Sequence, residues 1–353
     1  MNLFYQLFFR KFLFSLDPEI AHELTCSILA QVEKSNLLRR VVSKLTQTKS
    51  KPISLFGLDF PNCLGLAAGL DKNGQFSGFS SALGFGHVEV GTVTPLAQPG
   101  NPKPRLFRYP KEEALINRMG FNNLGAKALV DRLKLYNPKG NRISPIGINI
   151  GKGIKTSFEN AIDDYLEAFS IVVSQADYLT INISSPNTPG LRNLQHKDFL
   201  DPLLCSIRDK NVKWAKKNKC LPLPCLLKIS PDENFNSLEK IISLALSNCM
   251  DGIIATNTTI KRNRSHQTNF VETGGLSGRP LQHASLEVIK FVVRESNQRL
   301  PVIGAGGICD SESAHKKLDA GASLLQLYTS FIYNGPLFPS RLVHSLNSRY
   351  EWI

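Results

Sequence analysis

Eight short apolar runs, separated by segments with helical periodicity, constrain the fold of this chain more than any other feature. The runs are residues 63–69, 87–92, 145–150, 178–184, 225–230, 252–258, 301–307 and 324–330. Most of them are rich in leucine or β-branched residues and lack regular polar alternation, which is typical of parallel strands buried on both faces. Eight strand–helix units predict an α/β fold, a (β/α)8 TIM barrel. A doubly wound open sheet is the alternative, but it would not require eight units.

Two segments before the first run indicate where the barrel begins. The stretch "ISLFGLDFP", residues 53–61, predicts a hairpin that closes the floor of the barrel. The stretch "TQTKSKP" before it has the composition of a linker. A chain of 353 residues with 42% hydrophobic residues can fill one large domain that carries an appendage. We therefore expect a helical extension at residues 1–45 and a barrel domain at residues 46–353.

The amino-terminal segment "MNLFYQLFFRKFLFSL" is rich in phenylalanine, with five in its first fourteen residues. Arg10 and Lys11 interrupt it, and it is too short for a membrane-spanning helix, which needs about 20 apolar residues. It also lacks the order of basic, apolar and small residues that marks a cleaved signal peptide. The segment therefore predicts neither a spanning helix nor a cleaved signal.

An amphipathic helix is predicted directly after this segment. Asp17 can cap it, Pro18 stands at its first position, and Ile20, Leu24 and Ile28 recur on one face. A second basic, amphipathic stretch, "SNLLRRVVSKL", follows. Two interpretations remain open. The extension packs on the main domain, or it lies in a membrane interface with its aromatic side chains among the headgroups and its basic residues near anionic lipid.

The net charge and the spacing of the cysteines indicate which kinds of ligand the chain is expected to bind. The chain has 42 Lys and Arg against 29 Asp and Glu, a formal net charge of +13, which suits an anionic cofactor, substrate or lipid surface. The basic residues are dispersed and are not interleaved with aromatic residues, so we do not expect nucleic-acid binding. The seven cysteines are scattered without zinc-ligand spacing, so we expect reduced thiols and no metal.

Polar residues or glycines stand at the carboxyl ends of all eight runs. In chain order they are Lys72, Thr92, Asn149, Asn182, Lys228, Thr256 with Asn257, Gly306 with Gly307, and Tyr328 with Thr329. Any one of them could be a turn or cap former. Together they fit the rule that (β/α)8 barrels build active sites from the carboxyl ends of their strands. "GAGGI" and "YTS", each followed by a helix, further predict backbone N–H groups directed at a phosphate.

A series of motifs in order resembles one known family over nearly the whole chain. They are "GLAAGLDKNG", "VGTVTP", "KPRLFR", "NRMGFNN", "INIG", "NISSPNTPGLR", "LLKISPD", "TNTT", "GGLSGRPL", "IGAGGI" and "QLYTSFIY". The sequence resembles dihydroorotate dehydrogenases of the quinone-using, membrane-associated class. The resemblance implies an FMN enzyme of pyrimidine (UMP) biosynthesis that oxidises (S)-dihydroorotate to orotate and passes electrons to a membrane quinone. It also implies a peripheral protein on an anionic lipid surface, at the cytoplasmic face of a bacterial inner membrane.

The resemblance gives "NISSPNTPGLR" a catalytic meaning. Oxidation of dihydroorotate removes a proton from the ring carbon next to the one that gives up hydride, so a base and the flavin must bracket the ring. The family's base position falls on Ser185, and by resemblance Thr188 and Phe121 flank a path for the proton. The soluble class usually has cysteine at this position, so serine favours the quinone-linked class. Without this context, Ser185 would equally fit a turn hydroxyl before Pro186.

Further roles follow from the same resemblance. Amide side chains match the donors and acceptors of the substrate ring, and Lys72 matches the family's partner for the substrate carboxylate. The residues implied for substrate are Lys72, Asn117, Arg118, Met119, Gly120, Phe121, Asn182, Asn187, Asn257 and Thr258. Those implied for FMN are Ala68, Gly69, Lys72, Thr92, Asn149, Asn182, Lys228, Thr256, Gly278, Gly307, Tyr328 and Thr329. Lys228 maps beside the flavin ring, where a positive charge stabilises the reduced cofactor. His22 and Arg108 match positions at the quinone entrance.

The sequence departs from the family pattern at two positions, and two other functions are alternatives to the dehydrogenase. Gly153 replaces an expected polar residue and Ala305 replaces a common valine, and neither bears on a proposed catalytic role. A phosphate-binding barrel with Lys228 as a Schiff-base lysine would be a lyase. A membrane flavoprotein that binds without turnover would be a non-enzyme, and the intact set of Ser185, Lys72 and asparagines argues against it.

Overall fold

The computed structural model describes residues 5–48, 50–188, 191–195, 197–262 and 270–350. Its strands, in chain order, are β1 (Ile53–Leu55), β2 (Leu58–Phe60), β3 (Leu64–Leu66), β4 (His87–Val93), β5 (Leu106–Tyr109), β6 (Ala114–Asn117), β7 (Ile146–Ile150), β8 (Tyr178–Asn182), β9 (Cys225–Ile229), β10 (Gly252–Ala255), β11 (Gly275–Gly278), β12 (Val302–Ala305) and β13 (Ala322–Leu327). The helices after the first barrel strand are Ser77–Ala82, Ala126–Tyr136, Ala161–Val172, Lys197–Asn218, Phe235–Ser247, Gln282–Glu295, Ser311–Asp319, Thr329–Asn334 and Phe338–Tyr350.

Eight of the strands close into a parallel barrel, which confirms the predicted fold. The order around the barrel is β3, β4, β7, β8, β9, β10, β12 and β13, and β13 pairs with β3 through Leu325 opposite Leu64. Every one of these strands overlaps one of the eight apolar runs, although β4 ends one residue after its run and β13 begins two residues before its run. Their residues are buried almost without exception because side chains fill the barrel on one face and helices cover the other.

The predicted floor hairpin is also present. Strands β1 and β2 pair antiparallel, and Phe56 and Gly57 turn between them with positive φ. Phe60, fully buried, packs against Tyr178 and Leu226, which lie at the start of β8 and β9. The hairpin therefore covers the amino-terminal end of the barrel and leaves the carboxyl end for the site.

A three-stranded antiparallel sheet, which the sequence did not predict, covers part of the carboxyl end. Strand β6 lies between β5 and β11, with Ile116 opposite both Phe107 and Leu276. The two segments that form the sheet are inserted after β4 and after β10. Because each of its strands has only four residues and lies outside the eight runs, no periodic pattern identifies it.

The extension consists of helices with much exposed apolar surface. A π-helical turn at Tyr5–Phe9 continues into Arg10–Ser15, and the helices Pro18–Glu33 and Asn36–Thr46 follow. The Asp17 carboxylate accepts hydrogen bonds from the backbone N–H groups of Glu19 and Ile20, as the capping prediction required. Large apolar side chains remain exposed at Leu7, Phe8, Phe9, Phe12, Ile20, Leu24, Ile28, Leu37, Leu38, Val41 and Leu45.

Two buried carboxylates of the extension, Glu19 and Glu33, bind groups of the barrel domain. The Arg105 guanidinium donates to both carboxylate oxygens of Glu19, at 2.7–3.1 Å, and both side chains are buried. The Glu33 carboxylate accepts from the backbone N–H groups of Gly78 and Phe79, at 3.1 and 2.6 Å. The boundary proposed between residues 45 and 46 stays a prediction, although the last helix of the extension ends at Thr46. Among the described residues, no helix is both long and apolar enough to cross a membrane.

Candidate active site

A single cavity at the carboxyl end of the barrel brings together most of the residues singled out in the sequence. The floor is the barrel interior, and β5, β6, β11 and the extension supply walls. Of the predicted site residues, those that line it are His22, Ala68, Gly69, Lys72, Thr92, Asn117, Met119, Gly120, Phe121, Asn182, Ser185, Asn187, Lys228, Thr256, Asn257, Thr258, Gly278, Gly307, Tyr328 and Thr329.

Three predicted residues lie outside the cavity lining. Asn149 is fully buried beneath it, in the barrel interior. Arg118 turns away to an ion pair with Glu272, 2.7 Å long, and stacks on a phenylalanine ring of β5. Arg108 donates to the carbonyl oxygens of Leu13 and Leu16, so it joins the barrel to the extension. Arg118 and Arg108 thus make structural contacts outside the cavity lining, and their predicted roles, Arg118 at the substrate and Arg108 at the quinone entrance, stay predictions.

A chain of amides runs from the barrel interior into the cavity. The Asn182 side-chain N–H2 group donates to Thr92 Oγ1 at 3.0 Å and to Asn149 Oδ1 at 3.2 Å. The Asn257 N–H2 group donates to Asn182 Oδ1 at 3.4 Å and to Ser184 Oγ at 3.0 Å. These bonds hold each amide in one orientation within the cavity wall.

The loop after β8 positions Ser185. Its side chain is almost fully buried in the cavity wall, and its Oγ accepts a 3.3 Å hydrogen bond from the Asn187 backbone N–H. Asn187 is held in turn, because its side-chain N–H2 group donates to Asn117 Oδ1 at 3.2 Å. The Thr188 hydroxyl, also buried, has no hydrogen-bond partner within the described part of the chain. The loop after β8 thus carries two buried hydroxyl groups, that of Ser185, which accepts one hydrogen bond, and that of Thr188, which has no partner among the described residues.

Lys72 and His22 link the cavity to the extension. The Lys72 Nζ atom lies 3.5 Å from His22 Nε2. Burial lowers the pKa of Lys72, and burial together with the positive charge of Lys72 lowers the pKa of His22 to about 3. The imidazole is therefore neutral near pH 7, and Lys72 has no buried carboxylate within salt-bridge distance among the described residues. An anionic group in the cavity could supply that partner.

The cavity also has the features of a phosphate cradle. Gly278 and Gly307 have positive φ, and a Cβ atom on either would lie 2.2 Å from backbone atoms of Glu113 or Gln282. Only glycine therefore fits at these two positions. The Ser330 hydroxyl, in the same wall, is buried without a hydrogen-bond partner in the described part of the chain. Such a donor fits a phosphate oxygen. Ser330 was missed, although it follows Thr329 directly in "QLYTSFIY".

Sequence reasoning also missed three polar side chains in the barrel interior. Glu89, Thr180 and Gln326 are fully buried and hydrogen-bonded to one another through the Glu89 carboxylate. Glu89 did leave a signal, since it is the one acidic residue within the apolar run "HVEVGT". The pair of Glu89 with Lys228 joins this interior group to the cavity.

Comparisons with known proteins agree with this architecture. The profile of the dihydroorotate dehydrogenase family matches residues 51–350. A relative from Idiomarina loihiensis named dihydroorotate dehydrogenase (quinone) is 50% identical over 324 residues, 92% of this chain and 95% of that protein. A protein of the same name from Cronobacter sakazakii is 47% identical over 343 residues, 97% of this chain and 100% of its own length.

A solved structure shares the fold over nearly the whole chain. The crystal structure of DHODH from Eimeria tenella in complex with ferulenol is 35% identical and superposes with a TM-score of 0.82, covering 95% of this chain and 91% of that one. The family match, the full-length relatives and the structural likeness lead to the same conclusion: this chain belongs to the dihydroorotate dehydrogenase family.

Proposed function

We propose that this chain is a quinone-linked dihydroorotate dehydrogenase that oxidises (S)-dihydroorotate to orotate in pyrimidine (UMP) biosynthesis, with FMN as hydride acceptor and a membrane quinone as final electron acceptor. The observation that carries the proposal is one cavity in which Ser185, several amide side chains and Lys72 converge from different strand ends. The names of the relatives from Idiomarina and Cronobacter support the quinone as acceptor.

The residues present fit FMN. When bound, FMN would take hydride from the substrate and deliver electrons to the quinone. Gly278, Gly307, Thr329 and Ser330 would surround its phosphate, since two of them leave room for it and one offers an unpartnered hydroxyl. Around the rest of the cofactor we propose Ala68, Gly69, Lys72, Thr92, Asn149, Asn182, Lys228, Thr256 and Tyr328.

Ser185 would accept the ring proton of the substrate. A serine hydroxyl is a weak base unaided, so the proton has to pass onward through a second group. The Thr188 hydroxyl is available for this step because no protein group within the described residues occupies it. Phe121, which lines the same cavity, would keep bulk water from this path.

Amide side chains and one lysine would hold the substrate. Asn117, Asn187 and Asn257 line the cavity, and an amide side chain can both donate and accept, which matches the amide and imide edges of the ring. Lys72 would pair with the substrate carboxylate, which would also remove the cost of a buried ammonium group without an anionic partner. Asn182, Met119, Gly120 and Thr258 would complete the contact surface.

The extension would carry the protein to its quinone. Its exposed apolar side chains and basic residues suit the interface of an anionic membrane, and we propose peripheral binding at the cytoplasmic face of a bacterial inner membrane. His22 lines the cavity from the extension side, so a quinone entering there would approach the flavin beside it. Arg108 would support this passage indirectly, by holding the chain near Leu13 and Leu16.

The test is the cofactor content of the purified protein and its turnover with dihydroorotate and a long-chain quinone. We expect FMN to be released on denaturation, and orotate to form beyond one equivalent per flavin only when quinone is present. Absence of flavin, with a borohydride-trappable adduct on Lys228, would overturn the proposal in favour of a Schiff-base lyase. Bound FMN that dihydroorotate does not reduce would overturn it in favour of a binding protein.

A further inference from the structure

One buried carboxylate in the barrel interior collects hydrogen bonds from four other strands. Glu89, on β4, is fully buried. Its Oε1 accepts from the Asn149 N–H2 group of β7 at 2.8 Å and from Lys228 Nζ of β9 at 3.4 Å. Its Oε2 accepts from the Thr180 hydroxyl of β8 and from the Gln326 N–H2 group of β13, both at 3.0 Å. Both oxygens therefore have two donors each.

Lys228 is the cationic partner in this group. Ionised side chains are seldom buried without a counter-charge, because removal from water costs several kcal/mol per ion. The neighbours of Glu89 toward the floor do not supply a charge, since burial lowers the pKa of His87 to about 4 and raises the pKa of Tyr178 well above its ordinary value. The Glu89 carboxylate and the Lys228 ammonium therefore balance each other, and only Lys228 reaches the cavity.

Glu89 also determines the direction of the amide chain above it. A carboxylate can only accept hydrogen bonds, so the Asn149 side chain must present its N–H2 group to Glu89. Its Oδ1 then faces upward, where it accepts from Asn182, and Asn182 Oδ1 is left to accept from Asn257. A reversal of the Asn149 amide would place its oxygen against the Glu89 carboxylate and its N–H2 group against the N–H2 group of Asn182.

We propose that Glu89 is a positioning residue for the flavin site, an inference that rests on the proposed function. It holds the Lys228 ammonium group and the Asn149 amide at the floor of the cavity, and its negative charge reduces the positive field that Lys228 presents to the cofactor. Because a positive field stabilises reduced flavin, Glu89 keeps the reduction potential of the bound flavin lower than Lys228 alone would set it.

The test is the midpoint potential of the bound flavin, measured by equilibration with a reference dye. Glu89→Gln keeps the size of the side chain and removes its charge. We expect the ratio of reduced to oxidised flavin at a fixed potential to rise about tenfold, a shift of about 30 mV for a two-electron couple. Thr180→Val is the matched control, because it removes one donor to the same carboxylate without changing any charge, and it should leave the potential unchanged. An unchanged or lowered potential in Glu89→Gln would overturn the proposal.

A double-mutant cycle on the flavin-free protein tests the ion pair separately. In urea unfolding, Glu89→Gln and Lys228→Met should each destabilise the fold, because each leaves a buried charge unpaired, and the double variant should recover much of the loss. Strictly additive losses would refute the pairing. If Glu89→Gln fails to fold, the midpoint potential of the bound flavin is compared between Lys228→Met and the double variant. The double variant should have the higher potential, because it lacks the negative charge of Glu89. If the protein binds no flavin, the proposed function fails while this cycle still decides the pairing.

Discussion

Replacement of Ser185 by alanine should slow the reduction of bound flavin by dihydroorotate about 100-fold or more, since removal of a general base typically costs 10²–10⁴-fold. A 100-fold loss corresponds to about 2.7 kcal/mol of activation free energy. The same substitution should change the stability of the folded protein much less. The Ser185 hydroxyl accepts one long hydrogen bond, 3.3 Å from the Asn187 N–H, and such a bond contributes about 1 kcal/mol or less to stability.

The assay is stopped-flow reduction of the flavin-loaded variant, with orotate affinity measured on the same sample. Ser185→Ala should keep its orotate affinity, whereas Ser185→Cys should retain more of the reduction rate because a cysteine thiolate can accept the proton. Ser184→Ala, at the neighbouring position, is the control variant that tests substrate binding instead of proton transfer. Its hydroxyl accepts from Asn257 at 3.0 Å, so its loss should weaken orotate binding more than it slows reduction. Reduction of Ser185→Ala at the wild-type rate would remove Ser185 from the mechanism.

Three further predictions concern the substrate carboxylate, the membrane and pH. Lys72→Ala should weaken orotate binding, because a charge-assisted hydrogen bond contributes about 1.5–3 kcal/mol; unchanged affinity in a spectral titration would show that the carboxylate is held elsewhere. Phe12→Asp, at a side chain 57% exposed, should reduce sedimentation with anionic vesicles and turnover with long-chain quinone but spare flavin reduction. If Phe12→Asp still sediments with the vesicles and turns over long-chain quinone like the wild type, the exposed apolar surface of the extension does not bind the membrane through Phe12. Burial raises the pKa of Glu33 from 4.5 to about 7, so the native state binds this proton more tightly and stability should fall as the pH rises through that window. Glu33→Gln should flatten the fall in Tm, and a profile identical to wild type would contradict the assignment.

The barrel could be predicted because its strands are buried on both faces. Burial makes each strand a continuous apolar run, and the runs at 145–150 and 178–184, which contain β7 and β8, therefore stand out from the sequence alone. The sheet of β5, β6 and β11 could not be predicted in the same way. Its strand β11 pairs with β6 across more than 150 residues, as in the contact of Ile116 with Leu276, and only the tertiary fold brings the two together.

The site could be predicted to the extent that its residues stand at strand ends. Thr92, Asn182 and Lys228 do so, and all three line the cavity. Side-chain direction could not be predicted, because distant contacts decide it: Arg118 belongs to a cavity motif but turns to Glu272. The bonds to Glu89 escaped notice because their donors are spread over four strands with no sequence spacing in common.

The most direct test of the proposed function is an anaerobic visible spectrum of the purified protein, recorded before and after addition of dihydroorotate and then of quinone. We predict that dihydroorotate bleaches the oxidised-flavin absorbance, that orotate forms in equal amount to the flavin reduced, and that quinone restores the absorbance. A flavin spectrum that dihydroorotate leaves unchanged, or a protein with no flavin absorbance, would contradict the account.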